Sequence, residues 1–519
     1  MIPSPETAFM RLRERVPSYI KWSFVSAIVL GLAAHLYMMT NKLPNHDDVF
    51  HLFGCENGAG AGRWLLTTMI PLHGSFSAPW MIGMLSLLAL AGTVCLTTNL
   101  LCIHRLFAVV VTAALIVAFP AATATFSYLF LADAYFFALF LAAFAAYAVA
   151  RMPIMGMPLG AIAIILSMGI YQSYFPVAAV LMVGALLFDC LEGEQSFFQI
   201  VWRGVKMVGT LALGILVYMA ITRWIGARIG GLSDYMGISS MGSISLSSLP
   251  TLLHECYSSY RDYFFDNALG WYFQFTHYCI YIAFICGAVL LVTLLLRRRV
   301  GFLRGLLALV LVLLYPLAGN IIHVMVGGGT IHDLMIYGTA FVLVLPLALA
   351  SFACEHADEM GGVRRGLQTV MAWLVLVAMA LTSYNYIVTD NKAYLKLEIG
   401  LEQIKAYSNR LISAIERIDG YSTAYPVVLV GAKNPDAMLA TSPELEDLSL
   451  TGILDMGAFR MEYSYGSLLN DLMALPNMVM TEENAEVAAA IGDVRSFMPT
   501  YPAEGSVQIV NNYIVVRLN

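Results

Sequence analysis

The chain has 519 residues, of which 59% are hydrophobic and only 12% are charged, and its mean hydropathy is +0.75. This composition excludes an ordinary soluble protein, and a net charge of −6 without any long basic run excludes the usual nucleic-acid-binding classes. The sequence therefore predicts an all-α polytopic membrane protein.

Apolar runs long enough to cross about 30 Å of hydrocarbon need about 20 residues each. Eleven such runs occur, and the fifth and sixth form one long stretch that we divide near Gly169–Gln172. We predict about eleven transmembrane helices at 20–40, 79–101, 105–120, 133–150, 155–171, 173–189, 207–224, 272–296, 302–320, 333–353 and 367–388.

The distribution of lysine and arginine predicts the orientation, because cytoplasmic loops carry an excess of both. If the N-terminus is cytoplasmic, fourteen of these residues fall in cytoplasmic segments and five fall in the short outer loops. The five are Lys42, Arg63, Arg223, Arg228 and Arg261. With eleven spans, the C-terminus is then extracytoplasmic.

The chain divides into two predicted domains. Residues 1–388 form the transmembrane domain, with long outer loops at 41–78 and 225–271. Residues 389–519 are more polar and form a small extracytoplasmic α/β domain, because helical and strand patterns alternate there. The predicted elements are an amphipathic helix at 401–418, a strand at 426–431, a helix at 482–491 and a hairpin at 507–516.

The first outer loop contains a rare concentration of acid–base groups, in which His46 and His51 flank Asp47 and Asp48. A positioned carboxylate can take the proton of an attacking hydroxyl, so either aspartate is a candidate general base. The alternative is that the pair caps an interfacial helix. The histidines could bind substrate, or could join the aspartates around a divalent metal ion.

Two further polar groups could bind a phosphorylated sugar. Arg63 can hold phosphate through a bidentate guanidinium, and Trp64 suits the face of a sugar ring, although both could equally be interfacial anchors. Asp133, at the outer end of the predicted fourth span, could bind sugar hydroxyls or cap its helix.

Other candidate substrate-binding residues lie near the same predicted face. Each could line an outward-opening cavity, and each could instead be an ordinary loop or cap residue. The group consists of Tyr171, Gln172, Arg261, His332 and Asp333.

The stretch Leu43-Pro44-Asn45-His46-Asp47-Asp48, followed by Gly62-Arg63-Trp64, resembles the first-loop pattern of the type II serotype-converting glucosyltransferases of bacteria, which modify O-antigen and related surface glycans. Asp390-Asn391-Lys392-Ala393-Tyr394 is also similar to that family. The resemblance implies a GT-C fold in the bacterial inner membrane and a polyprenyl-phosphate-linked glucose donor. It also implies inverting transfer to a lipid-linked or cell-surface glycan, with Asp47 or Asp48 as base and Arg63 at the donor phosphate.

Two other function classes remain open at the level of sequence. A lipid or glycan transporter (a flippase) would show pseudo-symmetric halves and broken helices at the midplane, whereas here the polar residues crowd one face and no repeat is visible. A surface-glycan polymerase or ligase would bring several arginines to the outer face for pyrophosphate.

Overall fold

A computed structural model describes residues 4–54, 58–233, 247–266, 273–297, 301–356, 362–431, 443–446, 448–453 and 461–519. Up to Glu416 the described chain is almost entirely helical, because long apolar runs contain few residues that break a helix. The helices of the first part are α1 Pro5–Arg15, α2 Ser18–Thr40, α3 His46–Phe50, α4 Leu66–Met69, α5 Pro79–Leu100, α6 Leu106–Val117, α7 Pro120–Ser127, α8 Leu129–Arg151 and α9 Gly156–Ile170.

The second part contains longer helices and ends in a small sheet. Its helices are α10 Phe175–Glu192, α11 Phe197–Ile229, α12 Leu249–Phe264, α13 Thr276–Arg297, α14 Phe302–Gly319, α15 Ile322–Val326, α16 Ala340–Glu355, α17 Gly362–Glu416, α18 Pro443–Glu446 and α19 Ala485–Ile491. Its strands are β1 Val427–Val430, β2 Val479–Thr481, β3 Val507–Val510 and β4 Tyr513–Arg517.

Within the described ranges, nine helices are long and apolar enough to cross a membrane, or ten if α6 and α7 form one bent span. These nine correspond to nine of the eleven predicted spans. The third predicted span is the α6–α7 pair, which bends by 41°. The fifth is α9, whose 15 residues fall short of the length that a single crossing needs.

A proline causes the bend between α6 and α7. Pro120 has no N–H to offer to the carbonyl of Ile116, so that carbonyl accepts the Tyr337 hydroxyl at 2.6 Å instead. The neighbouring carbonyl of Val117 lies 2.7 Å from His35 Nε2, which must donate because a carbonyl oxygen can only accept. The break therefore leaves both carbonyls satisfied by side chains of other helices.

The last apolar helix does not end where the sequence predicts. Helix α17 has 55 residues in all. It passes through the predicted boundary at 388 and includes most of the predicted amphipathic helix at 401–418. At 1.5 Å per residue it is about 80 Å long, so it extends well beyond the thickness of the hydrocarbon core. Its far end carries buried Leu411 and Ile415, which pack against the C-terminal sheet.

The C-terminal sheet has the strand order β2-β1-β4-β3. Strand β1 is parallel to both β2 and β4, and β3 and β4 form an antiparallel hairpin. Asn511 and Asn512 turn this hairpin with φ angles of 49° and 65°, a conformation that asparagine tolerates. The predicted strand, second helix and hairpin are confirmed, whereas β2 was not predicted.

Candidate active site

The acidic pair lies on α3, the short helix of the first long loop. Its N-cap is Asn45, whose side-chain oxygen accepts the backbone N–H of Asp48 at 2.9 Å. Because asparagine already satisfies this end of the helix, neither aspartate is needed as the cap of α3. The two carboxylates instead have different surroundings.

Asp48 is completely buried and holds three elements together. Its Oδ2 lies 2.6 Å from the Lys42 ammonium, and its Oδ1 accepts the hydroxyl of Ser77 and the backbone N–H of Phe130, the latter at 3.1 Å. Phe130 lies in the first turn of α8, whose own N-cap residue provides no side-chain acceptor. Asp48 therefore caps α8 from a separate segment of the chain.

Asp47 is open to solvent, with 33% of its side chain exposed. Its Oδ1 accepts the hydroxyl of Tyr463 and lies 3.6 Å from His46 Nε2. Tyr463 also packs edge-on against Phe50, with 5.3 Å between ring centroids. Tyr463 is 416 positions away in the chain, so sequence reasoning had no local signal for it.

The two histidines pack against the start of α8. His51 stacks on Phe130 at 4.4 Å, and His46 meets Tyr128 edge-on at 6.4 Å. Across the residues that the structure describes, no group of three or more His, Cys, Asp or Glu side chains could hold a metal ion.

The Gly62-Arg63-Trp64 turn is held by hydrogen bonds from α11 and from the segment between α9 and α10; we call these hydrogen bonds the clamp. Gly62 has a φ of +72°, and its carbonyl accepts the Tyr218 hydroxyl at 3.1 Å. Gln172 Nε2 donates to that hydroxyl at 2.8 Å and to the carbonyl of Ala61 at 2.9 Å. A side chain at position 62 would collide with both partners, so this site requires glycine.

This clamp positions Arg63 and Trp64. The Arg63 guanidinium lies over the ring of Tyr171, 5.4 Å from its centroid, and Trp64 fills the space next to Gly169. Tyr171 in turn stacks on Tyr135 at 4.1 Å. The structure thus brings Arg63, Trp64, Tyr171 and Gln172 together into one aromatic and cationic cluster.

Asp133 is paired with a histidine that the sequence reasoning missed. Its Oδ2 lies 3.0 Å from His73 Nδ1, and both side chains are largely buried. Because Asp133 lies one turn after Phe130 on α8, the pair is close to the segment that Asp48 caps. The carboxylate of Asp133 belongs to the same end of α8 as the acidic pair.

A segment of the C-terminal region, residues 448–453, crosses this end of the helical part; we call it the strap. Thr451 donates its N–H and its hydroxyl to Asp333 Oδ2 at 2.6 and 2.9 Å. Gly452, at a φ of +82°, presses so closely against Ser127 and Tyr128 that a Cβ would overlap them. Asp333 therefore binds the strap, and Tyr128 connects the strap to His46.

Burial determines the titration of the groups at the strap. It raises the pKa of Asp333, an effect that the hydrogen bonds from Thr451 and the neighbouring His332 oppose. Burial also lowers the pKa of His332, while the Asp333 carboxylate acts in the opposite direction. The contacts of Asp333 are those of an anchor for the strap.

A carboxyl group next to Tyr463 was also missed. Burial raises the pKa of Glu462, and so do the nearby carboxylates of Glu483 and Glu482. Its Oε2 is buried without a hydrogen-bond partner among the described residues. Glu462 therefore adds a carboxyl group next to Tyr463, with its charged neighbours in the C-terminal region.

Arg261 is not part of this cluster. It lies on α12, has 76% of its side chain exposed and pairs with Asp266 at 2.9 Å, five residues further along. Helix α12 packs against α14 and α15, away from α3. The contacts of Arg261 are those of an ordinary surface residue.

The Asp390–Tyr394 segment lies inside α17, against the broken span. Thr123 of α7 donates its hydroxyl to Asp390 Oδ1, and Tyr394 contacts His35 Nδ1 at 2.8 Å. All four side chains are buried. This network supports the α6–α7 break and lies apart from the solvent-exposed Asp47.

The comparison with known proteins identifies one family. The model of the family described as Glucosyl transferase GtrII matches residues 36–346, which contain α3, the Gly62-Arg63-Trp64 turn, Asp133 and the Asp333 anchor. The match ends before the Asp390 segment, the strap and Tyr463. The chain matches no curated protein and no solved structure.

Proposed function

The chain belongs to the GtrII glucosyl transferase family, and from this premise we propose that it transfers glucose from a polyprenyl-phosphate donor to a cell-surface or lipid-linked glycan, with Asp47 as the general base. The family makes the protein a glucosyltransferase, and its long apolar helices make it a membrane protein. The donor, the acceptor, the base and the orientation are parts of the proposal.

One observation supports Asp47 over its neighbour. Of two adjacent carboxylates, Asp47 has 33% of its side chain exposed and Asp48 has none. A general base must come within hydrogen-bond distance of the hydroxyl whose proton it takes. Asp48 cannot do so without leaving Lys42, Ser77 and the start of α8, so its role is to hold α3 in place.

The proposed reaction is a single displacement. Asp47 takes the proton of the acceptor hydroxyl while that oxygen attacks the anomeric carbon of glucose. A new C–O bond forms to the acceptor, the bond from the anomeric carbon to the phosphate oxygen breaks, and polyprenyl phosphate leaves with the bonding electrons. The leaving group is already anionic, so it needs a cationic partner more than a strong acid.

Arg63 is the candidate for that partner. The Tyr171 ring under its guanidinium and the clamped Gly62 backbone restrict its position, which reduces the ordering cost of binding phosphate. Trp64, on the same turn, would present an aromatic face to the sugar.

Tyr463 is proposed as a positioning residue. Its hydroxyl donates to one oxygen of Asp47 and leaves the other oxygen to receive the acceptor proton. A charge-assisted hydrogen bond of this kind fixes the carboxylate rotamer. The C-terminal region would thereby complete the site that the helical part begins.

The position of the site suits a lipid-linked donor. Asp48 and Asp133 lie at the beginning of α8, the end of an apolar helix, where headgroups meet hydrocarbon. Arg63 reaches the same helix through Tyr171, which stacks on Tyr135. A polyprenyl tail would lie in the bilayer and its phosphate at the interface. The excess of lysine and arginine on the opposite side supports an extracytoplasmic site in the bacterial inner membrane.

The test is transfer of radiolabelled glucose from undecaprenyl-phosphate-glucose to a membrane extract by the purified full-length protein. Asp47→Asn should lower the rate by about 10²- to 10⁴-fold, the usual contribution of a general base. Asp262→Asn, an exposed aspartate on α12, is the matched control and should transfer at the wild-type rate.

Transfer by Asp47→Asn within a few-fold of wild type would overturn the assignment of the base. If wild type transfers glucose from a nucleotide-linked donor and not from the lipid-linked one, the donor proposal fails while the family function stands.

A further inference from the structure

A cavity of about 630 Å³ lies at the far end of α8 from the candidate active site. It is formed by the C-terminal end of α8, the loop that follows it, the start of α9 and the first three turns of α11. Because α8 has 23 residues, its ends are about 34 Å apart, close to the thickness of the hydrocarbon core. The cavity and the candidate active site therefore lie at opposite faces of the membrane.

Three cationic side chains and no acidic one line this cavity: Arg151, Arg203 and Lys206. Arg203 is held in place by Asp189 at 2.6 Å and by the carbonyl of Ala150, so its charge is compensated. Arg151 is exposed and donates to the carbonyl of Asn99 at 3.2 Å. Arg151 also interacts with the Asp189 carboxylate. Lys206 has no carboxylate partner among the described residues, so its charge is the one left uncompensated at the cavity.

The rim of the cavity is apolar and exposed. Ile154 is 88% exposed and Trp202 is 61% exposed, and Met157 also lines the cavity. Large apolar side chains on a membrane protein at headgroup level contact acyl chains, and tryptophan favours this interface. The cavity thus combines an anion-binding interior with a lipid-facing rim.

We propose that this cavity binds an anionic phospholipid, with the headgroup phosphate between Arg151 and Lys206 and the acyl chains along Ile154 and Trp202. Basic cavities between helices at the cytoplasmic face bind such headgroups. The apolar rim favours a lipid over free phosphate, because free phosphate has no acyl chain that could contact the rim. The site is separate from glucosyl transfer, since it lies at the opposite end of α8 from Asp47.

The experiment is native mass spectrometry of the full-length protein in detergent, titrated with dioleoylphosphatidylglycerol and, in parallel, with dioleoylphosphatidylcholine. Each cation near a headgroup contributes about 1 kcal/mol, or about fivefold in affinity. Lys206→Gln should therefore weaken phosphatidylglycerol binding about fivefold, and Arg151→Gln/Lys206→Gln about 25-fold, with little change for phosphatidylcholine.

Lys21→Gln is the matched control, because Lys21 is an exposed lysine in the first turn of α2 that does not line the cavity. It should bind phosphatidylglycerol as the wild type does. Lys206 makes no side-chain hydrogen bond within the described structure, so Lys206→Gln should melt as the wild type does and serves as the decisive variant.

Three results would overturn the proposal. The first is equal binding of the two lipids by the wild type, and the second is equal loss of binding in Lys206→Gln and Lys21→Gln. The third is displacement of phosphatidylglycerol by sodium phosphate, which would make this a free-anion site.

Discussion

Replacing Asp48 with asparagine should destabilise the protein, because Asp48 is an anchor and not an exposed acid. The amide keeps one acceptor oxygen for Ser77 and Phe130 but turns an NH₂ group toward the Lys42 ammonium, 2.6 Å from the present Oδ2. Removing one partner of a buried ion pair costs about 3–5 kcal/mol. Lys42 is 27% exposed and can recover some hydration, so we expect about 3 kcal/mol.

The assay is a thermal melt of detergent-purified protein. With an unfolding entropy of about 2.1 cal/mol/K per residue, 3 kcal/mol lowers the Tm of a chain of this length by roughly 3 °C if it unfolds as one unit. Asp47→Asn, at the exposed neighbouring position, is the control and should stay within about 0.5 kcal/mol of wild type. The double variant Lys42→Met/Asp48→Asn should lose less stability than the two single changes added together.

A wild-type Tm for Asp48→Asn, together with loss of glucosyl transfer, would refute this reasoning. Asp48 would then act in the chemistry, and its buried contacts would have to open during the reaction. A lowered Tm with transfer reduced only in proportion to the folded fraction would agree with the anchor role.

Three further predictions concern the surroundings of the site. Tyr463→Phe should slow glucosyl transfer by about 10- to 150-fold, because a hydrogen bond to a charged group is worth about 1.5–3 kcal/mol; a wild-type rate would remove Tyr463 from the site. Gly62→Ala should lower transfer, and Tyr218→Phe should partly restore it by removing the hydroxyl that the new Cβ meets; no restoration would argue against the clamp. The raised pKa of Asp333 means that its contribution to stability is complete below its ordinary pKa of about 4 and is lost as the pH rises through the raised value. The Tm of the wild type should therefore fall with rising pH more steeply than that of Asp333→Asn, and equal slopes would contradict the assignment.

The sequence predicted the class and the location of the site from local features. Long apolar runs indicated a membrane protein, and nine of the predicted spans match long helices because hydropathy over about 20 residues is a property of one segment. The polar loop around Asp47 and the Arg63 turn stood out against an apolar chain. The resemblance to the glucosyltransferase family rested on those residues and on Asp390–Tyr394; the family is confirmed, by a match that covers the first group only.

The positions at which a helix bends or continues were harder to predict from the sequence. The predicted span at 105–120 bends because Pro120 removes one N–H, and side chains from α2 and the segment before α16 stabilise the break. The boundary predicted after 388 falls within α17, because a change from apolar to amphipathic composition does not interrupt helical hydrogen bonding. Distant side chains therefore stabilise the first feature, whereas the second follows from the continuous backbone hydrogen bonding of α17.

The sequence by itself determined that Asp47 and Asp48 are equivalent candidates, because adjacent residues of one type share every local property. Only the tertiary structure separated them, by burying Asp48 against Lys42 and the start of α8 and leaving Asp47 open to Tyr463. Burial depends on which distant segments pack together, and here the partner lies 416 positions away. Local sequence therefore supplied the chemical groups, and packing gave each of them a different environment.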